Sequence, residues 1–159
     1  AQEELTRLTG TEHDAFPKHI EKVFVYYPPL IIQIANDYFQ QIYNEQITIE
    51  RMIDILSRLK KSNNTNDQMV FACMIRNLFD EYKFIPKYPD RELGITGVLF
   101  GQLIKNRLVT YIPLWIALRC VLEALKHPLH SKLFNFGHYA LDQFSSMLNE
   151  WPQVYHLFI

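Results

Sequence analysis

The sequence predicts an all-α fold built from antiparallel helix pairs, and two observations favour it. Only five of the 159 residues are glycine, about half the usual share, which argues against a sandwich or barrel of many tight hairpins. Prolines and short polar clusters divide the chain into segments whose apolar residues recur every three or four positions, and no stretch alternates over the length of a strand. We therefore expect about six to eight helices in a single domain.

The start of this domain follows a segment that fits no clear pattern. Residues 1–27 are predicted to form an N-terminal extension, and residues 28–159 the helical domain. Pro28 and Pro29 begin the first predicted helix, which runs to about Asn44, because proline is tolerated in a first turn.

Polar residues indicate where the next helices begin. Thr48 is expected to cap a second helix that ends at Lys61. A third helix is predicted from about Asn66 to Tyr82, before two prolines, and a fourth from its expected cap at Asp90 to about residue 106.

The last third of the chain follows the same pattern. Thr110 is expected to cap a fifth helix ending near residues 127–128, and Ser131 a sixth helix that runs to about Glu150. A short seventh helix is predicted from Pro152 to Phe158.

The predicted helices form pairs at a regular spacing. Starts near residues 28, 66 and 110 are each followed by a partner start, near residues 48, 90 and 131, so a two-helix unit recurs about every 40 residues. This spacing is typical of HEAT and armadillo repeats. An irregular helical bundle is the alternative.

Charge and motifs exclude most chemical functions. The net charge of −1 disfavours direct nucleic-acid binding, and no apolar run is long enough to span a membrane. Cys73 and Cys120 lie in apolar helical patterns and are expected to be free, buried thiols. Nothing resembles a catalytic, cofactor or zinc motif, so we expect no enzyme, cofactor or metal; the closely spaced Gly94, Gly97 and Gly101 more simply permit two helices to approach closely.

The first helix has more apolar surface than core packing requires. One stripe suffices to pack a helix on its neighbours, and it consists of Ile31, Ala35, Tyr38 and Ile42. A second stripe lies about 100° away and consists of Ile32, Asn36, Phe39 and Tyr43. Two interpretations stay open: the second stripe is a peptide groove, or residues 1–27 cover it.

Several segments together resemble one known family. They are ANDYFQQIYN (35–44), MIRNLFDEYKF (74–84), PKYPD (86–90), LVTY (108–111), ALRCVLEAL (117–125), FG (136–137) and ALDQF (140–144). In order and spacing they resemble the helical domain of the large Not scaffold subunit of the Ccr–Not deadenylase complex. In animals this domain binds the C-terminal motif of tristetraprolin.

The resemblance implies a fold, a role and a set of site residues. The fold would be HEAT-like (MIF4G-like). The role would be a non-enzymatic scaffold that recruits deadenylases by binding short helical motifs of RNA-binding adaptor proteins, with other subunits of the complex bound by neighbouring domains. The peptide-binding residues would be Asn36, Phe39, Tyr43, Phe84, Ile85 and Tyr88.

Other properties follow from the same resemblance. Residues 1–27 match nothing in it, so they are expected to extend the fold or lie near the groove. We expect no direct nucleic-acid or membrane partner, and a location in cytoplasmic mRNA-decay foci with the nucleus as a second compartment. A purely architectural spacer without a groove is the alternative function.

Overall fold

The computed structural model describes residues 26–158, which form seven α-helices and two 3₁₀ helices and contain no strand. The elements, in chain order, are α1 (Pro29–Tyr43), α2 (Ile49–Lys61), α3 (Thr65–Glu81), a first 3₁₀ helix (Tyr82–Lys87), α4 (Asp90–Lys105), α5 (Tyr111–Ala124), α6 (Lys132–Phe144), a second 3₁₀ helix (Ser145–Glu150) and α7 (Pro152–Phe158). The all-α prediction is confirmed.

Side-chain caps mark the starts of three helices, α2, α3 and α6. The hydroxyl of Thr48 accepts a hydrogen bond from the backbone N–H of Arg51 at 3.1 Å, and Ser131 caps α6 in the same way through Phe134 at 3.2 Å. The cap of α3 is Asn64, two residues before the predicted start. Satisfying the first free N–H groups in this way fixes where each helix begins.

One predicted cap is wrong, since Asp90 is the first residue of α4 and Pro89 takes the cap position. Thr110 occupies the cap position of α5 as predicted, but its hydroxyl makes no cap hydrogen bond. The predicted sixth helix is also too long, because its last turns tighten into the second 3₁₀ helix after Phe144.

The helices stack as successive pairs. Helices two apart in the chain contact each other, α1 on α3, α2 on α4 and α4 on α6, and α5 packs along α6. Such stacking of alternate helices is the arrangement of helical-repeat domains, in which each two-helix unit buries its apolar faces against the next. It confirms the predicted helix-pair architecture over an irregular bundle.

Aromatic rings connect the layers inside the core. Phe100 of α4 is fully buried, with its ring centroid 5.6 Å from that of Phe79 on α3 and 5.3 Å from that of Phe136 on α6. Cys73 and Cys120 are buried free thiols, as predicted, and burial is the main cause that raises the pKa of Cys120 to about 12. Both cysteines therefore act as small apolar core residues.

Within the described residues, no helix combines the length and apolar character required to cross a bilayer. The same part of the chain holds no group of three or more His, Cys, Asp or Glu side chains arranged to bind a metal ion.

A close helix contact, between α4 and α6, runs through the glycines of α4. A Cβ atom on Gly101 would overlap the carbonyl oxygen of Ala140 on α6 and lie 2.8 Å from the Cβ of Gln143. A Cβ on Gly97 would lie 2.9 Å from the Cβ of Tyr139. Both positions therefore require glycine for α4 and α6 to approach this closely, which confirms the packing interpretation of these residues.

Gly101→Ala should destabilise the domain by about 1–3 kcal/mol, because the added methyl group meets backbone rather than a flexible side chain and forces α4 and α6 apart. The matched control is Gly94→Ala. A Cβ there meets only the Tyr139 ring, at 3.8 Å, so the higher helix propensity of alanine should raise stability by about 0.5–1 kcal/mol. Urea unfolding measures both variants, and an equal effect of the two would contradict the close contact.

Candidate functional site

Helix α1 presents two different faces. Ile31, Ala35 and Ile42 are buried and Tyr38 packs against the core from a half-buried position. These are the residues of the first predicted stripe, and the structure confirms them as the core-facing side. The second stripe lies beside it, with Ile32 and Asn36 exposed and with Phe39 and Tyr43 packed against the edge of the core.

The exposure of the second stripe changes along α1. Ile32 and Asn36 are exposed, whereas Phe39 and Tyr43 are half-buried. The rings of Phe39 and Tyr43 lie nearly parallel, with centroids 6.5 Å apart and an interplanar angle of 23°. One helical turn thus carries two stacked aromatic rings, and each ring is partly covered by the protein and partly in contact with solvent.

Tyr88 extends this row of rings from another part of the chain. It follows the first 3₁₀ helix, and its ring meets that of Tyr43 edge-on, with centroids 6.5 Å apart at 81°. Its backbone is extended, as expected for a residue that precedes a proline, and its N–H donates to the carbonyl of Ile85 at 3.0 Å. We call Phe39, Tyr43 and Tyr88 the aromatic ladder.

The hydroxyl of Tyr43 is held by α4. It lies 2.6 Å from the hydroxyl oxygen of the buried Thr96, which in turn donates to the carbonyl of Glu92 at 2.8 Å. Because the proton of Thr96 is used in that second bond, Tyr43 is the donor to Thr96. Burial is the main cause that raises the pKa of Tyr43, so the phenol stays protonated at neutral pH.

The hydroxyl of Tyr88 is held by α3. It donates to the carboxylate of Glu81, and burial followed by this hydrogen bond raises the pKa of Tyr88. Glu81 is a site residue that the sequence did not indicate as such. Its position at the end of α3 gives no sign of a partner seven residues later, because an intervening 3₁₀ helix sets their distance.

The remaining predicted site residues occupy different positions. Phe84 is 45% exposed, and the ammonium of Lys83 lies 5.2 Å from the centroid of its ring. Ile85 is fully buried in the core, so it supports the turn from below and offers no surface to a ligand in this conformation. The structure therefore brings together Asn36, Phe39, Tyr43 and Tyr88, with Phe84 exposed on the neighbouring 3₁₀ helix.

A surface cleft of about 450 Å³ lies at the beginning of α1, beside Ile32 and Asn36 of the second stripe. Its described lining consists of Tyr26, Tyr27, Pro29, Ile32, Gln33, Asn36, Asp37 and Gln40. The exposed part of the second stripe thus forms one wall of a depression. Whether residues 1–27 cover this surface stays a prediction, since all but Tyr26 and Tyr27 lie outside the described residues.

Known proteins are similar to this chain in sequence and in fold. The family model of the CCR4-NOT transcription complex subunit 1 TTP binding domain matches residues 2–158, which includes most of the predicted N-terminal extension. The "General negative regulator of transcription subunit 1" of Schizosaccharomyces pombe is 41% identical over 133 residues, covering 84% of this chain and 6% of the relative. The "CCR4-NOT transcription complex subunit let-711" of Caenorhabditis elegans is 35% identical over 127 residues, covering 79% of this chain and 5% of the relative.

A solved structure, the N-terminal domain of the yeast Not1, matches with a TM-score of 0.80 and 32% identity, over 84% of this chain and 26% of that chain. This chain thus spans a small fraction of the length of its relatives. A family match over nearly all of its residues, with identities of 35 to 41% over most of them, shows that this chain belongs to the family of TTP-binding domains of CCR4-NOT transcription complex subunit 1, a non-catalytic scaffold subunit.

Proposed function

We propose that this domain binds short helical motifs of RNA-binding adaptor proteins along the aromatic ladder, and so brings deadenylases to the mRNAs that those proteins select. The family description, which names TTP binding, supports the class of partner. The observation that carries the proposal is the ladder itself, because three half-buried aromatic rings form a row at the surface. Aromatic side chains of this kind dominate the energetics of interfaces.

The ladder favours apolar anchors over polar ones. The hydroxyls of Tyr43 and Tyr88 already have partners inside the domain, so a peptide meets mainly ring faces and edges. From Ile32 to Tyr43 the exposed stripe extends about 16 Å along α1, at 1.5 Å per residue. That length suits about three turns of a helical motif, whose anchors would recur at every third or fourth position. Exposed Asn36 can supply a hydrogen bond at one end.

The edge of the ladder carries an acidic group. The side chain of Glu81 accepts the hydrogen bond of Tyr88 and has no cationic partner among the described residues. A carboxylate beside aromatic rings favours a Lys or Arg on the bound motif, through ionic attraction together with a cation–π contact. We therefore infer that the preferred motif combines apolar anchors with a basic residue.

The wider role is part of the same proposal. Other subunits of the complex would bind to neighbouring domains of the longer protein, and adaptor proteins such as tristetraprolin would be the ligands of this one. The place of action would be cytoplasmic mRNA-decay foci, with the nucleus as a second compartment. An architectural spacer is the competing function, and the hydrogen bond from Tyr43 to Thr96 gives that function some support.

Phe39→Ala should weaken a fluorescein-labelled peptide of the tristetraprolin C-terminal motif by about 1 kcal/mol or more in an anisotropy titration, because it removes one half-exposed ring of the ladder. Tyr155→Ala, at a 39% exposed tyrosine on α7, is the matched control and should leave affinity unchanged. Equal affinity of both variants and the parent domain would remove the ladder from the proposed site. If Phe39→Ala alone weakens binding, a pull-down from cell extract with the parent domain and the two variants would identify which RNA-binding proteins depend on Phe39.

Tyr43→Phe and Tyr43→Ala separate recognition from architecture. The first keeps the ring but loses the hydrogen bond to Thr96, so stability should fall by about 1 kcal/mol while peptide affinity is kept. The second loses ring and hydrogen bond together, so both quantities should fall. Thermal unfolding and the anisotropy titration give the two readouts. If Tyr43→Ala lowers stability alone, Tyr43 belongs to the architecture and not to the groove.

Glu81→Gln should weaken a peptide that carries a basic residue about threefold or more and leave a peptide with glutamine in its place unaffected, because only the charge at the ladder's edge is removed. The difference should shrink as ionic strength rises. A uniform loss for both peptides would show instead that Glu81 acts through the position of Tyr88.

A further inference from the structure

A residue of α6, outside the ladder, bonds to the turn that carries Tyr88. Lys132 is the first residue of α6, and its ammonium donates a hydrogen bond to the backbone carbonyl of Tyr88. The same ammonium lies 3.8 Å from the carboxylate of Asp90, the first residue of α4. Asp90 is almost fully exposed, so its ion pair contributes little, and the bond to the Tyr88 carbonyl is the main contact of this lysine.

A lysine in this position does not stabilise its own helix. The N-terminus of a helix carries a partial positive charge, which disfavours a cation in the first turn. The free N–H groups there are served by Ser131, not by Lys132. The favourable contacts of Lys132 are therefore those it makes with the Tyr88 turn and with α4.

The bond to Lys132 is the contact that ties the Tyr88 turn to α6, since the other hydrogen bonds of Tyr88 are made to Glu81 and Ile85. The hydroxyl of Tyr88 is bound to Glu81, at the far end of its side chain, and Lys132 fixes the carbonyl at the backbone end. The ring between these two points lies edge-on against Tyr43. If the carbonyl loses its donor, the chain at Tyr88 is no longer fastened to α6, and a shift of this turn moves the Tyr88 ring relative to that of Tyr43.

We propose that Lys132 is a positioning residue of the groove: it sets the orientation of the Tyr88 ring on the aromatic ladder, and so the affinity for a helical motif, by acting through Tyr88. The proposal rests on the proposed function of the ladder. It couples the helix α6, which carries no residue of the ladder, to peptide recognition by a charge-assisted hydrogen bond.

The first experiment compares Lys132→Met with Lys132→Arg in the anisotropy titration of the tristetraprolin-motif peptide. Methionine keeps the length and apolar stem but donates no hydrogen bond, and should lower affinity about fivefold; arginine keeps the charge and the donor and should restore affinity to within about twofold of the parent domain. Lys126→Met, which removes one exposed positive charge from the loop between α5 and α6, is the matched control and should change affinity little. An equal loss in Lys132→Met and Lys126→Met would assign the effect to net charge and overturn the proposal.

A double-mutant cycle distinguishes positioning from direct contact. In a Tyr88→Ala background the further change Lys132→Met should have no effect on affinity, because there is no ring left to orient. An undiminished loss in that background would mean that Lys132 touches the peptide itself, and the positioning role would be wrong. Thermal unfolding of each variant checks that the domain stays folded.

A readout without peptide keeps this proposal separate from the proposed function. In the free domain, Lys132→Met should shift the aromatic-ring NMR resonances of Tyr88 and Tyr43, whereas Lys132→Arg and Lys126→Met should leave them in place. Unshifted resonances in Lys132→Met would overturn the positioning role even if the peptide binds. The opposite result is also informative: the resonances shift, but the peptide binds neither the parent domain nor any variant. That result would overturn the proposed function, and Lys132 would then orient Tyr88 without any effect on peptide binding.

Discussion

The close approach of α4 and α6 is the constraint on which the site depends. It is possible only because Gly97 and Gly101 leave room for the backbone and side chains of α6. Once in contact, the two helices supply one anchor each to the ladder. Thr96 on α4 accepts from the hydroxyl of Tyr43, and Lys132 on α6 donates to the carbonyl of Tyr88. A change in the distance between α4 and α6 would therefore change the angle between two aromatic rings that neither helix contains.

The ladder serves both the fold and the surface. The ring of Tyr43 is only half-buried, yet its hydroxyl is bound to the one buried polar side chain among the described residues, Thr96. Satisfying both tyrosine hydroxyls internally avoids the cost of unpaired polar groups under a bound peptide. The outer surface of the ladder then consists of apolar ring faces and edges, with the carboxylate of Glu81 at its border.

Local rules of sequence predict much of this structure. The caps at Thr48 and Ser131, the core stripe of α1 and the glycine contact of α4 follow from the preferences of short segments, and the structure confirms them. The family resemblance indicated Tyr88 as part of the surface, which local periodicity could not do. The ladder as a whole joins α1 to a turn about 45 residues later, and no helical period relates them.

The anchors of the ladder could not be predicted in the same way. Thr96 lies 53 residues from Tyr43, and Lys132 lies 44 residues from Tyr88. Each is an ordinary polar residue in its own segment, and the partner becomes visible only when the helices are stacked. At Asp90 the local rule itself failed. Aspartate is a good capping residue, but Pro89 occupies the cap position and Asp90 is the first residue of α4.

The partner bonds of Tyr43 and Tyr88 have a consequence for how such a surface can diverge. Residues whose polar atoms are bonded within the fold can change only at a cost in stability. Ile32, Asn36 and Phe84 are exposed and have no side-chain hydrogen bond to another described residue. Substitutions at these three positions would alter the outline and polarity around a fixed aromatic centre. A lineage could in this way exchange one adaptor for another while the domain keeps its folding energy, so partner choice and stability are free to evolve at separate positions.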